Sequence, residues 1–157
     1  MKWLLPLALC LALSACKKFD ANASDPEPVP DKPDWRLFGQ MPDYDVKVDW
    51  NSIGHEDVSG DDSYVYVWVL REFKKDQENK EGDTYRKEYS RFAVDCAKSS
   101  AAGIAIELHD HEDDEVMRRD VPGYQWEFQP ATAQQNYLQN FVYQVCKIAR
   151  DKEAAAR

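Results

Sequence analysis

Residues 64 to 70, Tyr-Val-Tyr-Val-Trp-Val-Leu, are apolar throughout and alternate between large rings and β-branched side chains. On a strand, Tyr64, Tyr66, Trp68 and Leu70 share one face, while Val65, Val67 and Val69 share the other. Two apolar faces predict a central strand over 63–73, covered on both sides. Shorter runs at 35–38 and 44–49 precede it, divided by Gly39 and Pro42. The polar stretch 74–84 reads as the loop of a hairpin. The chain then returns over 84–96, with Phe92, Val94 and Cys96 on one face and Arg91, Ala93 and Asp95 on the other. Strands at 103–108 and 115–121, joined by the acidic turn 109–114, and a last strand at 124–128 complete the expected sheet.

Beyond residue 130 the apolar period lengthens from two to about 3.6. Tyr137, Leu138, Phe141, Val142, Val145, Cys146 and Ala149 form one stripe on a helix from 133 to about 150. Thr132 and Gln135 have the spacing of a capping box, with Pro130 just outside it. Residues 151–157 are expected to fray. Strands first and one helix last define the fold class: α+β, an antiparallel β-sheet of about six strands with one C-terminal α-helix packed on it.

The amino-terminal pattern is of another kind. Lys2 precedes an unbroken apolar run from Trp3 to Leu13, 11 residues long. A spanning helix needs about 20, so residues 1–15 read as a signal peptide. Leu13-Ser14-Ala15-Cys16 has the look of a lipobox, which makes Cys16 the lipid-carrying first residue of the mature chain. Acyl chains on Cys16 give membrane attachment, each buried methylene contributing about 0.8 kcal/mol. Lys17 and Lys18 follow in place of the Asp that signals inner-membrane retention, so the outer membrane is expected. Residues 16–34, rich in Pro and Asp, read as a disordered tether, leaving 35–150 as the folded domain.

Four cysteines are present. Cys10 leaves with the leader and Cys16 takes lipid, so Cys96 and Cys146 remain in an exported protein, where a disulfide is the default. Cys96 faces the core from a strand and Cys146 lies in the helix stripe, so the bridge ties helix to sheet. Closing a loop of this length contributes about 4 kcal/mol in the chain-entropy model.

Charge narrows the partners. The net charge is −9, with 31% charged and 43% apolar residues. Nucleic acid is excluded as a partner because phosphate contacts need clustered Lys and Arg, and so is a basic patch for anionic lipid. Arg86, Lys87 and Arg91 make a small basic run, read as a solvated face. No G-x-S-x-G, H-E-x-x-H or phosphate-cradling glycine loop occurs, so neither an enzyme nor a cofactor is expected. His109 and His111, set among Asp110, Glu112, Asp113, Asp114 and Glu115, are the one group with metal-ligand chemistry. A solvated acidic hairpin tip is the plainer reading, because a turn there splays alternate side chains. The 54–62 loop is acidic but lacks EF-hand spacing. Tyr64, Tyr66 and Trp68 read as core before partner surface.

Taken in order, Trp35, Asp49-x-x-Ser52-Ile53, Val67-Trp68-Val69-Leu70, Ser90, Asp95-Cys96, Trp126, Pro130 and Cys146 resemble the surface-adhesin protein E family of small Gram-negative lipoproteins, over roughly 35–147. The resemblance implies an antiparallel sheet with a disulfide-tied helix, attachment to host extracellular-matrix proteins, and a homodimer as one assembly. Segments 74–84 and 109–115 depart from that pattern. Three functions compete: an adhesin-like surface lipoprotein, a periplasm-facing accessory lipoprotein that contacts envelope proteins, and a metal-binding module using His109 and His111.

Overall fold

The computed structural model describes residues 29–55, 64–132, 134 and 136–157. The leader, Cys16, tether residues 17–28 and acidic-loop residues 56–62 lie outside these. Among the described residues the order is β1 (Trp35–Gln40), β2 (Tyr44–Asp49), β3 (Val65–Glu78), β4 (Thr84–Asp95), β5 (Ser100–His109), β6 (Glu115–Asp120), β7 (Gln129–Pro130) and α1 (Asn136–Ala155). The strands pair antiparallel in the sequence order β1 to β6, and β7 adds to the start of β5. This is the expected α+β architecture. No helix among the described residues is long and apolar enough to cross a membrane.

The valine face of β3 meets α1. Val46, Val48, Val65, Val67, Val69 and Val94 form one cluster with Phe141, Val142, Val145 and Ala149. Burying each of the larger side chains contributes about 1.5–3 kcal/mol, so the α1 stripe supplies the main docking of the helix on the sheet. Cys96 and Cys146 are bonded, with their Cα atoms 5.8 Å apart and 50 residues between them in sequence. Cys96 itself sits exposed in the turn after β4, and the staple lies at the margin of the core.

Several boundaries differ from the sequence reading. The polar segment 74–84 is mostly strand: β3 runs to Glu78 and β4 resumes at Thr84. Beyond Phe73, Lys74 still donates its amide to the Asp43 carbonyl at 2.9 Å, and after a register shift only Gln77 and Glu78 face β4, opposite Tyr85 and Thr84. A ribbon that buries neither face needs no apolar pattern, which is why the pattern missed it. Its turn is closed by the Asn79 Oδ1, which accepts from the amides of Glu81 at 3.0 Å and Asp83 at 2.8 Å. Gly82 there has φ +91°, a conformation that glycine adopts without steric cost.

The helix begins at Asn136, and residues 133 and 135 of the expected capping box lie outside the described set. At its other end, α1 continues to Ala155 where fraying from 151 was expected. Lys152 explains this. Its Nζ donates to the carbonyls of Trp50 at 2.9 Å, Asn51 at 3.3 Å and Ile53 at 2.7 Å, fastening the last turn to the loop after β2. Burial lowers the Lys152 pKa below its ordinary value, against the raising effect of the Asp49 charge.

The aromatic face of β3 is also covered. Trp68, Leu70, Tyr89 and Ala105 are buried, with Trp35 and Val29 against them. Further along, Tyr66, Ala93, Ala102 and Ile104 lie under Tyr64, Trp126 and Phe128. The expected strand at 124–128 is instead a 3-10 turn, Gly123–Gln125, followed by a segment that lays its rings on the sheet. Trp126 Nε1 donates to the Val121 carbonyl at 2.7 Å, and Phe128 stacks on Tyr64 with centroids 5.0 Å apart. Its alternating aromatics suggested a strand, but they are packing residues on an irregular backbone.

Residues 29–34, assigned to the tether by composition, are a strap across this face. The Val29 amide donates to Glu107 Oε1 at 3.3 Å, and the Asp34 amide to Asp49 Oδ1 at 2.8 Å. Prolines and acids made the segment look unable to bury surface. One valine and a few backbone bonds suffice because the sheet supplies the aromatic surface.

Candidate functional site

Glu107 and His109 are two residues apart on β5 and therefore point to the same face, the one opposite α1. Antiparallel register places Arg118 beside Glu107 and Glu115 beside His109. A register shift between Leu108 and His109 is what admits Glu115 to the group. One ligand-type atom from each of Glu107, His109 and Glu115 lies within 4.8 Å of the others.

The environment of the three is graded. The Glu107 side chain is 2% exposed, that of His109 16% and that of Glu115 42%. Glu107 Oε1 accepts from the strap and lies 3.1 Å from Arg118 Nε, at ion-pair distance but without hydrogen-bond alignment. Arg118 Nη2 reaches Glu115 Oε2 at 2.8 Å. Glu107 Oε2 lies 3.3 Å from His109 Nε2. The other ring nitrogen, Nδ1, lies 3.0 Å from the Asp113 carbonyl oxygen. A carbonyl only accepts, so Nδ1 carries a proton, a tautomer assigned from its partner.

The turn beyond is held from within. Asp110 Oδ1 accepts from the amides of Glu112 at 2.9 Å and Asp114 at 3.0 Å. Asp113 has φ +74°, a left-handed conformation that Asp tolerates better than most residues. Its carboxylate receives Lys87 Nζ at 2.8 Å and the Tyr89 hydroxyl at 3.1 Å. Burial raises the Asp113 pKa, but the Lys87 bond and charge, then Tyr89 and His109, outweigh it and hold the carboxyl below its ordinary value. Tyr89 is pushed well up by burial and then by the Asp113 charge, so its hydroxyl stays protonated and donates. Its ring meets His109 edge-on, centroids 4.7 Å apart.

The two histidines singled out by sequence do not converge. His111 is 65% exposed at the turn tip and pairs with Glu112 at 3.0 Å, facing away from His109. Glu107 was missed, and Glu115 was noted only as part of the acidic run. Glu107 lies outside that run in a strand, and only the cross-strand register reveals that it meets Glu115. Of the basic run, Arg86 pairs with Asp76 at 2.7 Å and Lys87 with Asp113, while Arg91 lies over the Tyr66 ring, 5.4 Å from its centroid.

The Asp49-x-x-Ser52 landmark has a structural meaning. Asp49 is fully buried, and its Oδ1 accepts from the Asn51 amide at 3.0 Å as well as from the strap. Ser52 Oγ donates to the Asp49 carbonyl at 2.9 Å and accepts from the Trp68 amide at 2.9 Å. Asp49 Oδ2 makes no hydrogen bond, so the Lys152 charge is what offsets it. This turn joins strap, sheet and the end of α1.

Away from these networks the surface exposes Tyr124 at 83%, Tyr143 at 58%, Leu37 at 57% and Tyr137 at 43%. A cleft of about 300 Å³ opens beside the disulfide, between Ser99, Tyr143 and Arg150.

No curated protein sequence matches the chain. Solved structures of Haemophilus influenzae protein E are similar to it at low identity. Crystal form II is 15% identical, covering 76% of this chain and 92% of that one, with a TM-score of 0.49. Protein E from non-typeable Haemophilus influenzae is 12% identical, over 80% of this chain and 97% of that one, at 0.45. A family model described as surface-adhesin protein E matches residues 35–147, from the first residue of β1 past Cys146 in α1. Most of the chain lies within that match, and the chain belongs to the surface-adhesin protein E family.

Proposed function

We propose that this protein is a lipid-anchored adhesin of the bacterial outer membrane, which binds host matrix or other proteins at the cell surface without catalysis. The family match over 35–147 is the observation that carries the reading. Cys16 is the anchor, residues 17–28 lead from it to the strap, and the disulfide suits a domain that lives outside the cytoplasm. Binding is assigned to the surface rather than to a deep pocket. Exposed tyrosines such as Tyr124 and Tyr143 provide large contact area at low entropic cost.

Protease treatment of intact cells tests the location. Release of the domain is expected, and full protection would overturn the surface reading in favour of a periplasm-facing accessory role. Intact mass of the native protein should show acylation on Cys16. Purified domain should be retained on immobilised matrix proteins, with Tyr124→Ala and Tyr143→Ala weakening retention. An absence of any matrix binding would remove the adhesive role.

A further inference from the structure

We propose that Glu107, His109 and Glu115 form a binding site for a zinc-type divalent ion at the neck of the β5–β6 hairpin. The inference stands on these residues alone and does not depend on what the surface binds.

Three observations carry it. First, Nδ1 of His109 lies 3.0 Å from the Asp113 carbonyl, which orients the ring so that Nε2 is the atom turned to Glu107. Second, that nitrogen faces Glu107 Oε2 at 3.3 Å, on a carboxylate only 2% exposed. The two atoms are close enough to share one small cation, a proton or a metal ion, and the carboxylate is withdrawn from water. Third, the separation is that of a metal edge. Ligand atoms about 2.0–2.1 Å from a tetrahedral ion lie about 3.3–3.4 Å apart, and the Glu115 carboxylate is within reach to form the third corner.

The neighbours fit an ion rather than replace it. Arg118 directs its charge to Glu107 Oε1 and Glu115 Oε2, which leaves the remaining oxygen of each carboxylate for the metal. It thereby orients both ligands, as the Asp113 carbonyl orients the imidazole, the outer-shell support that metal ligands require. Lys87 is taken up by Asp113. One imidazole and two carboxylates match zinc among the common divalent ions. Calcium and magnesium need more oxygen donors and do not favour nitrogen. Three protein ligands leave a fourth position for water or a donor from a partner.

Calorimetric titration of the full chain with zinc chloride, after chelator treatment, tests the site, and cobalt(II) absorption reports the coordination geometry. One zinc per chain and a tetrahedral-type cobalt spectrum are expected. His109→Ala and Glu115→Gln should each weaken zinc by at least about 100-fold, more than loss of an outer-shell partner. Glu115 is half-exposed, so its variant keeps the fold, which circular dichroism checks. His111→Ala should bind as the parent does. No zinc heat, affinity unchanged in the His109 and Glu115 variants, or loss of binding in the His111 variant would each overturn the proposal.

Discussion

Replacing Cys146 by alanine removes a covalent tie while leaving the apolar stripe around it almost unchanged. Cys146 is 8% exposed among Val142, Val145 and Ala149, so the loss of one sulfur from that cluster is a minor packing change. The larger effect is on the unfolded chain, which regains the freedom of a loop closed across 50 residues. The chain-entropy relation gives about 14 cal/mol/K for such a loop, or about 4 kcal/mol at 25 °C. Against a typical domain stability of about 5–15 kcal/mol, that loss is large but survivable. Urea unfolding of wild type, Cys96→Ala, Cys146→Ala and the double variant measures it. Either single change breaks the same bond, so the double variant should lose little more than one single variant. A loss below about 1 kcal/mol, costs that add across the two sites, or two free thiols in the wild-type intact mass would refute the staple.

Lys152→Ala removes three carbonyl contacts from a charged donor and should cost about 1.5–3 kcal/mol. Hydrogen exchange should then quicken in the last turn of α1 first, and uniform protection would contradict the role given to Lys152. Acid should weaken the domain through Asp95 and Asp113, whose carboxyls titrate below their ordinary value when folded. Burial alone would raise Asp95, but the Lys98 backbone and side chain outweigh it. The Lys98 side chain is 79% exposed, so its amide, 2.9 Å from Asp95 Oδ1, is the more durable partner. A depressed folded pKa means stability that is complete above the unfolded value, near about 3.9, and lost as pH falls through the folded one. Urea midpoints at pH 5 and pH 3 should therefore differ less in an Asp95→Asn, Asp113→Asn double variant than in wild type. Parallel losses would point to other carboxylates.

The legible parts of the fold were those where burial imposes a period. Alternating faces of 64–70 located β3, and the three-four stripe from Tyr137 to Ala149 located α1, because each buries its pattern against a partner. Pairing of Cys96 with Cys146 followed from their number, although Cys96 lies exposed in the turn after β4 rather than facing the core from a strand. What escaped is held by backbone and polar contacts that leave no period. The end of β3 meets β4 only through Gln77 and Glu78, the strap over 29–34 hangs on Glu107 and Asp49, and the end of α1 hangs on Lys152. For the candidate site, His109 was read into the turn and Glu107 was missed, because β5 continues one residue further than the apolar run that marked it. Adding Glu115 and discarding His111 required the register of β5 with β6, which a shift at Leu108 alters by one residue.

The strap also determines how the domain bears load. Tension entering from the amino-terminal side meets Val29 first, where one amide bond to Glu107 and a single valine hold the chain to the sheet. Further along the strap, Asp34 is held more firmly, its amide donating to Asp49 Oδ1 at 2.8 Å and its carbonyl accepting from the Trp50 amide at 2.9 Å. The disulfide and the valine core under α1 lie further along the chain and share no contact with Val29. Each residue released from the sheet would add about 3 Å of extended chain. Lifting the strap would uncover the part of the aromatic face where Val29 packs beside Trp68, Leu70 and Tyr89.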